Sequence, residues 1–250
     1  MLKEVLDLIS ENPYFIGVHI LAITGTIAFL FLSKEKKKEP EYYWAFIILL
    51  ISSVYELISS ISLVNRDLNE SIHTFISDTP YKGYNIWVYN ILYYQVSMVL
   101  LILWINFFIV NKKLIRINIY LTLAYIGAAL LLELTKIQEI TEFQPVIYFM
   151  GYVLSIIASG LFFMDLISSD KNIDINPLRF IPFWFITFNL FQNVLSILAD
   201  IALDYLAFNN LQLYYFFNYI SQFLYILMLI SIVVIFINKG LFIEKKVKTA

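Results

Sequence analysis

The chain has 250 residues, of which 60% are hydrophobic and only 14% charged, with 22 Phe, 18 Tyr, no Cys and two His. A water-facing globule carries about 25% charged residues, so this composition places the chain in a bilayer. A formal net charge of −2 excludes a nucleic-acid-binding module with a basic face, the missing Cys excludes disulfide and thiol chemistry, and two His cannot build a Cys/His zinc site.

A hydrocarbon core about 30 Å thick takes about 20 apolar residues of helix. Seven such runs are read in chain order: 14–33, 43–64, 86–110, 117–134, 146–167, 180–203 and 213–237. The runs are too long for strands, and backbone groups in lipid must be satisfied within their own segment, so the fold class is all-α: a single transmembrane domain forming a seven-transmembrane-helix bundle. Residues Leu2–Ser10 have a weak amphipathic period that predicts a stretch lying at the interface. Acidic residues interrupt the region before the first apolar run, and the positive cluster follows that run, so no cleaved signal peptide is expected. The longest connection, from Asn65 to Asn85, contains Thr79-Pro80 and Lys82-Gly83, which read as turns beside at most a short helix.

The positive residues set the expected orientation. Lys34, Lys36, Lys37, Lys38, Lys112, Lys113, Arg116, Lys171, Arg179, Lys239, Lys245, Lys246 and Lys248 share one face, while Lys3, Arg66, Lys82 and Lys136 share the other. The positive-inside rule then predicts the N-terminus outside and the C-terminus cytoplasmic.

Polar residues within spans cost roughly 2.5–3.5 kcal/mol each when charged and at mid-depth, so each calls for a reason. Glu56 lies near the middle of the second span with Ser52 and Ser60 on its face, and His19 lies in the outer half of the first. Gln95 lies in the third span, near Asn90, Tyr94 and Ser97. The sixth carries Asn189, Gln192, Asn193, Ser196 and Asp200, and the seventh carries Asn218, Ser221, Gln222 and Tyr225. Their common depth predicts an aromatic-walled, amide-lined cavity opening outward, with His19, Glu56, Gln95, Asn193, Asn218 and Gln222 as ligand-binding candidates. The alternative is that the amides are interhelical glue at about 0.6–2 kcal/mol per hydrogen bond. Asp165, Asp200 and Glu133 fall near span ends and read as boundary residues reaching headgroup water. Most aromatics read as lipid-facing filler, with Trp44, Trp87 and Trp184 at the interfaces. Gly151, Ser155 and Ser159 in the fifth span, and Ala124 and Ala128 in the fourth, form small-residue stripes expected to pack closely.

Several seven-helix classes fail on their residues. No Lys lies within the seventh span for a retinal Schiff base, the third span ends in Asn106-Phe-Phe-Ile-Val-Asn111 where a rhodopsin-like receptor has an acidic-Arg-aromatic motif, and two His cannot supply a three-His zinc hydrolase. The run Asn176-Pro-Leu-Arg-Phe-Ile-Pro-Phe-Trp184 leading into the sixth span, with the topology and size, resembles bacterial seven-helix sensory modules. That resemblance implies a multi-pass protein of the bacterial inner membrane that binds a small or lipophilic ligand and signals through a separate cytoplasmic or membrane partner, with no cofactor and no nucleic acid. A transporter or channel, a structural subunit of a membrane complex and an intramembrane enzyme stay open as alternatives. The enzyme is disfavoured, because Glu56 and His19 offer an acid/base pair without a nucleophile or metal set.

Overall fold

The computed structural model describes residues 1–173, 175–201 and 209–238, and all the secondary structure among them is helical. The sequence-derived positions Leu203, Lys239, Lys245, Lys246 and Lys248, and the side chain of Lys171, lie outside the described residues.

An amphipathic helix α1 (Leu2–Glu11) precedes the first span, α2 (Pro13–Leu30). Between them Asn12 Oδ1 accepts from the Tyr14 amide at 3.0 Å and Pro13 takes the first helical position, which needs no amide hydrogen. A short helix α3 (Lys34–Lys38), started by Ser33, occupies the positive cluster that follows the first span. The second span is α4 (Pro40–Val64), followed by α5 (Arg66–Ile76), the short helix of the long connection. The remaining spans are α6 (Ile86–Phe108), α7 (Lys112–Leu134), α8 (Pro145–Ser168), α9 (Ile181–Ile201) and α10 (Leu211–Ile237). Among the described residues seven helices are thus long and apolar enough to cross a membrane, and the predicted spans match them to within a few residues at each described end.

α9 packs most extensively on α10 and α8, and α2 sits against α10 and α4. At the α2–α4–α10 contact Gly25 leaves room for the buried Leu49 side chain, and Val233 lies on its other side. Small residues let helix axes approach, and in lipid the close packing this allows is a main source of association energy. α7 is the most peripheral span. It turns Asn118, Thr122, Tyr125 and Ala129 inward, a stripe with helical spacing. The predicted Ala124 and Ala128 stripe is corrected here, because Ala124 is exposed and Ala128 only half-buried. Gly151, Ser155 and Ser159 are all buried within the bundle, as expected, and the two serines accept the Asn189 amide from α9 at 2.9 and 3.0 Å.

α6 departs from regular geometry. From Tyr89 to Ser97 it is wound as a π-helix, with i→i+5 hydrogen bonds, and Ser97 Oγ follows the same step by donating to the Leu92 carbonyl at 2.7 Å. The Tyr94 carbonyl accepts from Tyr125 Oη of α7 at 2.9 Å. Widening a helix in this way changes which side chains share a face, and such segments recur at functional sites.

Of the acids expected at the water boundary, Asp165 is placed differently. Asp165 is 0% exposed. Its carboxylate accepts from the amides of Val110 and Asn111 at 2.8 and 2.9 Å and from Asn172 Nδ2 at 3.2 Å. It therefore caps the chain where α6 ends, satisfying two backbone donors just beyond the helix. Glu133 accepts from Gln95 Nε2 at 2.6 Å and Gln144 Nε2 at 3.0 Å, joining α6, α7 and the start of α8.

Candidate functional site

The chain alternates direction from span to span, so the early residues of α2, α6, α8 and α10 meet the late residues of α4 and α9 at one end of the bundle. A cavity of about 300 Å³ lies there, lined by side chains of all six of these spans. The sequence sets its wall by helical spacing. In α10, Tyr214, Asn218, Ser221, Gln222 and Tyr225 fall at i, i+4, i+7, i+8 and i+11, and all face it. Gln192, Ser196 and Asp200 supply the matching stripe of α9. Asn12 and Asn210 cap the starts of α2 and α10 by accepting from the amides of Tyr14 and Leu213, and Tyr14 and Tyr214 line the cavity beside them.

The π-helical segment adds three more phenols: Tyr89, Tyr93 and Tyr94 all line the cavity. At 3.6 residues per turn, Tyr94 would stand about 140° from Tyr89. With the wider π winding that angle falls to roughly 50°, so the distortion brings the third tyrosine onto the shared face. Tyr93 is packed edge-on against Tyr94, Tyr55 and Tyr225, with ring centres 4.8, 5.5 and 6.0 Å apart.

Two carboxylates belong to this wall. Glu56 of α4 is 2% exposed, and its Oε2 accepts from Tyr89 Oη at 3.1 Å. Tyr89 Oη accepts in turn from Ser59 Oγ at 2.9 Å, and Asn85 Nδ2 supports that serine at 2.6 Å. Asp200 of α9 accepts from Tyr152 Oη of α8 at 2.8 Å. No Lys, Arg or His lines the cavity among the described residues, and none of the ion pairs there involves Glu56 or Asp200. The inner end is closed by hydroxyls: Tyr225 Oη lies 2.6 Å from Ser52 Oγ and accepts from Tyr55 Oη at 2.9 Å. Farther along α10 the bundle is filled by Leu229, Ile232 and Val233, all buried. Asp200 and Tyr152 also line a crevice of about 50 Å³ with Pro145, Phe149 and Ile197. Pro145 and Phe149 are exposed on the outer surface of the bundle.

Of the sequence-derived candidates, the structure brings Glu56, Asn218 and Gln222 together in the cavity. His19 is elsewhere, with Nδ1 2.7 Å from Ser53 Oγ on the α2–α4 contact. Gln95 faces Glu133, and Asn193 donates to the Asn189 carbonyl at 2.6 Å, so neither lines the cavity. Asp200 and the tyrosines Tyr14, Tyr55, Tyr89, Tyr93 and Tyr152 were not among the candidates. The i, i+4 pairs Tyr89/Tyr93 and Ser196/Asp200 were visible signals of shared faces, but nothing in the sequence signals the π winding. Asn69, in a formal glycosylation sequon, is fully buried, donating to the Tyr84 carbonyl at 3.2 Å and accepting from Trp87 Nε1 at 2.9 Å.

No protein-family model, curated protein sequence or solved structure matches this chain. Its chemistry is therefore argued from the cavity itself. Among the described residues no cluster of three or more His, Asp or Glu could hold a metal ion. The arrangement can bind: a concave, partly buried volume, aromatic surfaces for packing, and amides, hydroxyls and two acids for orientation.

Proposed function

We propose that this is a multi-pass sensory or regulatory protein of a bacterial inner membrane that binds a small or lipophilic ligand in this cavity and signals through a partner. The observation that carries the reading is the cavity's construction. Six of the seven spans contribute to one volume of about 300 Å³, at the small end of the range for ligand sites. Amides used only as glue would be paired off against neighbouring helices, as Asn189 is on Ser155 and Ser159. Gln192 is paired in that way on Tyr93 Oη at 3.0 Å, whereas Asn218 and Gln222 meet each other within α10 at 3.5 Å and line open space.

The positive-inside distribution of Lys and Arg supports an outward mouth and a cytoplasmic C-terminus. An occupant in contact with six helices would interact differently with alternative packings of those helices, and that difference is what shifts a population toward a signalling state. A partner would read the shift at the opposite face. The hydroxyl floor formed by Ser52, Tyr55 and Tyr225, backed by dry packing, favours binding over passage through the bundle.

The test is a melting-temperature screen of purified protein against a chemically mixed small-molecule panel, run in parallel with the cavity-filling variant Ser221→Trp. Compounds that stabilise the native chain and not the filled variant support the reading. A panel that stabilises both equally or neither counts against it.

A further inference from the structure

We infer that the ligand is an organic ammonium ion, held by Glu56 and Asp200 within a cage of tyrosine rings. This deepens the function proposed above and rests on it. The sign of the charge comes from composition of the wall: two carboxylates, no Lys, Arg or His among the described lining residues, and otherwise neutral groups. Glu56, 2% exposed, has a neutral phenol as its hydrogen-bond donor, and so does Asp200. Phenols solvate a carboxylate without cancelling its charge. A cation entering the cavity gains Coulomb energy from Glu56, which is held away from water, and from the half-buried Asp200.

The wall also fits the shape of such an ion. Tyr14, Tyr55, Tyr89, Tyr93, Tyr94 and Tyr152 line a single small volume. Aromatic rings around a cation are the recurrent device for recognising alkylammonium groups, because the negative ring faces attract the charge while the alkyl surface packs on them. A small hydrated metal ion would gain less, as it needs several converging oxygens at short range and the cavity is walled mainly by rings. An anion would meet two like charges. A neutral apolar molecule would leave the charge of the acids uncompensated and offer Asn218 and Gln222 no partner. The crevice between α8 and α9, which shares Tyr152 and Asp200 with the cavity, gives an apolar substituent of the cation a route toward the outer surface of the bundle.

The experiment pairs choline with its uncharged isostere 3,3-dimethyl-1-butanol, which has the same shape without the charge, on purified protein in detergent. Choline is expected to raise the melting temperature by several degrees in a saturable way, while the isostere and sodium chloride at equal concentration do not. The response should fall at least about tenfold in apparent affinity, a coupling of 1.4 kcal/mol, in Glu56→Gln and in Asp200→Asn, whose folding is checked by an unligated melt. Equal stabilisation by choline and the isostere, abolished by Ser221→Trp, would overturn the cation assignment while leaving the cavity as a site. No response to choline, or a response that persists in Glu56→Gln/Asp200→Asn, also overturns it. Loss of the ligand reading itself is registered separately, by the mixed panel failing to distinguish native protein from Ser221→Trp.

Discussion

Tyr152 of α8 donates its hydroxyl to Asp200 Oδ2 of α9 at 2.8 Å, and the same two side chains line both the main cavity and the crevice beside it. Tyr89 of α6 stands in the same relation to Glu56 of α4 at 3.1 Å. Each acid is thus tied to neighbouring spans through neutral phenols. Within lipid, a hydrogen bond of this kind contributes about 1 kcal/mol, less than the cost of keeping a carboxylate from water. Acids so placed cost the packed bundle stability.

The first prediction separates function from stability. Glu56→Gln and Asp200→Asn, in the absence of any ligand, should leave stability unchanged or raise it by about 1–2 kcal/mol, because relief of a desolvated charge outweighs one altered hydrogen bond. Unfolding in a denaturing detergent titration measures this. A loss of more than about 1 kcal/mol would mark the acids as structural.

Asp165 should behave in the opposite way. Its carboxylate receives two backbone amides at the end of α6 and the Asn172 side chain. Asp165→Ala removes the acceptor of those part-buried donors and should cost about 2 kcal/mol, with Asp165→Asn costing less because its carbonyl oxygen keeps one of them satisfied. The same unfolding titration should rank native, Asn and Ala in that order, and the ligand response of the folded fraction should be unaffected.

Gly25 is required by packing. A side chain there would run into Leu49, which is itself buried, and would press on Val233 at 3.2 Å. Gly25→Val should therefore destabilise by about 1–3 kcal/mol, the usual cost of overpacking. Restoring space with Leu49→Ala in the same chain should recover part of that loss. Two additive losses would show that the sites do not share the contact.

Lys136 ends α7 in the left-handed region, φ 57°, where the Ile137 amide returns to the Leu132 carbonyl at 3.0 Å and its own amide to Glu133 at 2.9 Å. Glycine is the residue this closure favours, so Lys136→Gly should exceed Lys136→Ala in stability by about 1 kcal/mol. The Lys136 ammonium also pairs with Asp78 at 2.6 Å, both groups being solvent-exposed. Its hydrogen bond and charge hold the Asp78 carboxyl below its usual 3.8, and the carboxylate holds the ammonium above its usual 10.5. Whatever the pair contributes is present above the ordinary carboxyl value and is lost as pH falls through the lowered one. At the other end it is present below the ordinary ammonium value and is lost as pH rises through the raised one. NMR titration should find Asp78 below 3.8 in the native chain and returned toward it in Lys136→Ala.

The spans were legible because lipid imposes a length and a polarity that sequence displays directly. Glu56, Asn218 and Gln222 were legible as a polar depth shared by several spans. His19, Gln95 and Asn193 share that depth too, but depth does not fix which neighbour a side chain faces, and Ser53, Glu133 and Asn189 meet them first. Asp200 looked like a boundary residue because an acid near a span end ordinarily reaches water, whereas here the packing of α8 turns it inward onto Tyr152. The tyrosines were hidden by their abundance, since 18 of them in an apolar chain read as lipid-facing belt. The π winding of α6, which gathers three, depends on tertiary contacts such as the Tyr125 hydroxyl on the Tyr94 carbonyl.

The central claim is that the tyrosine-walled cavity is a ligand site, and its most direct test is a high-resolution cryo-EM structure of the protein purified in lipid nanodiscs from its native membrane. Non-protein density is expected between Tyr93, Glu56 and Asp200, and it should disappear in Ser221→Trp. A cavity holding only ordered water in contact with the acids and amides, in protein never exposed to detergent, would contradict it.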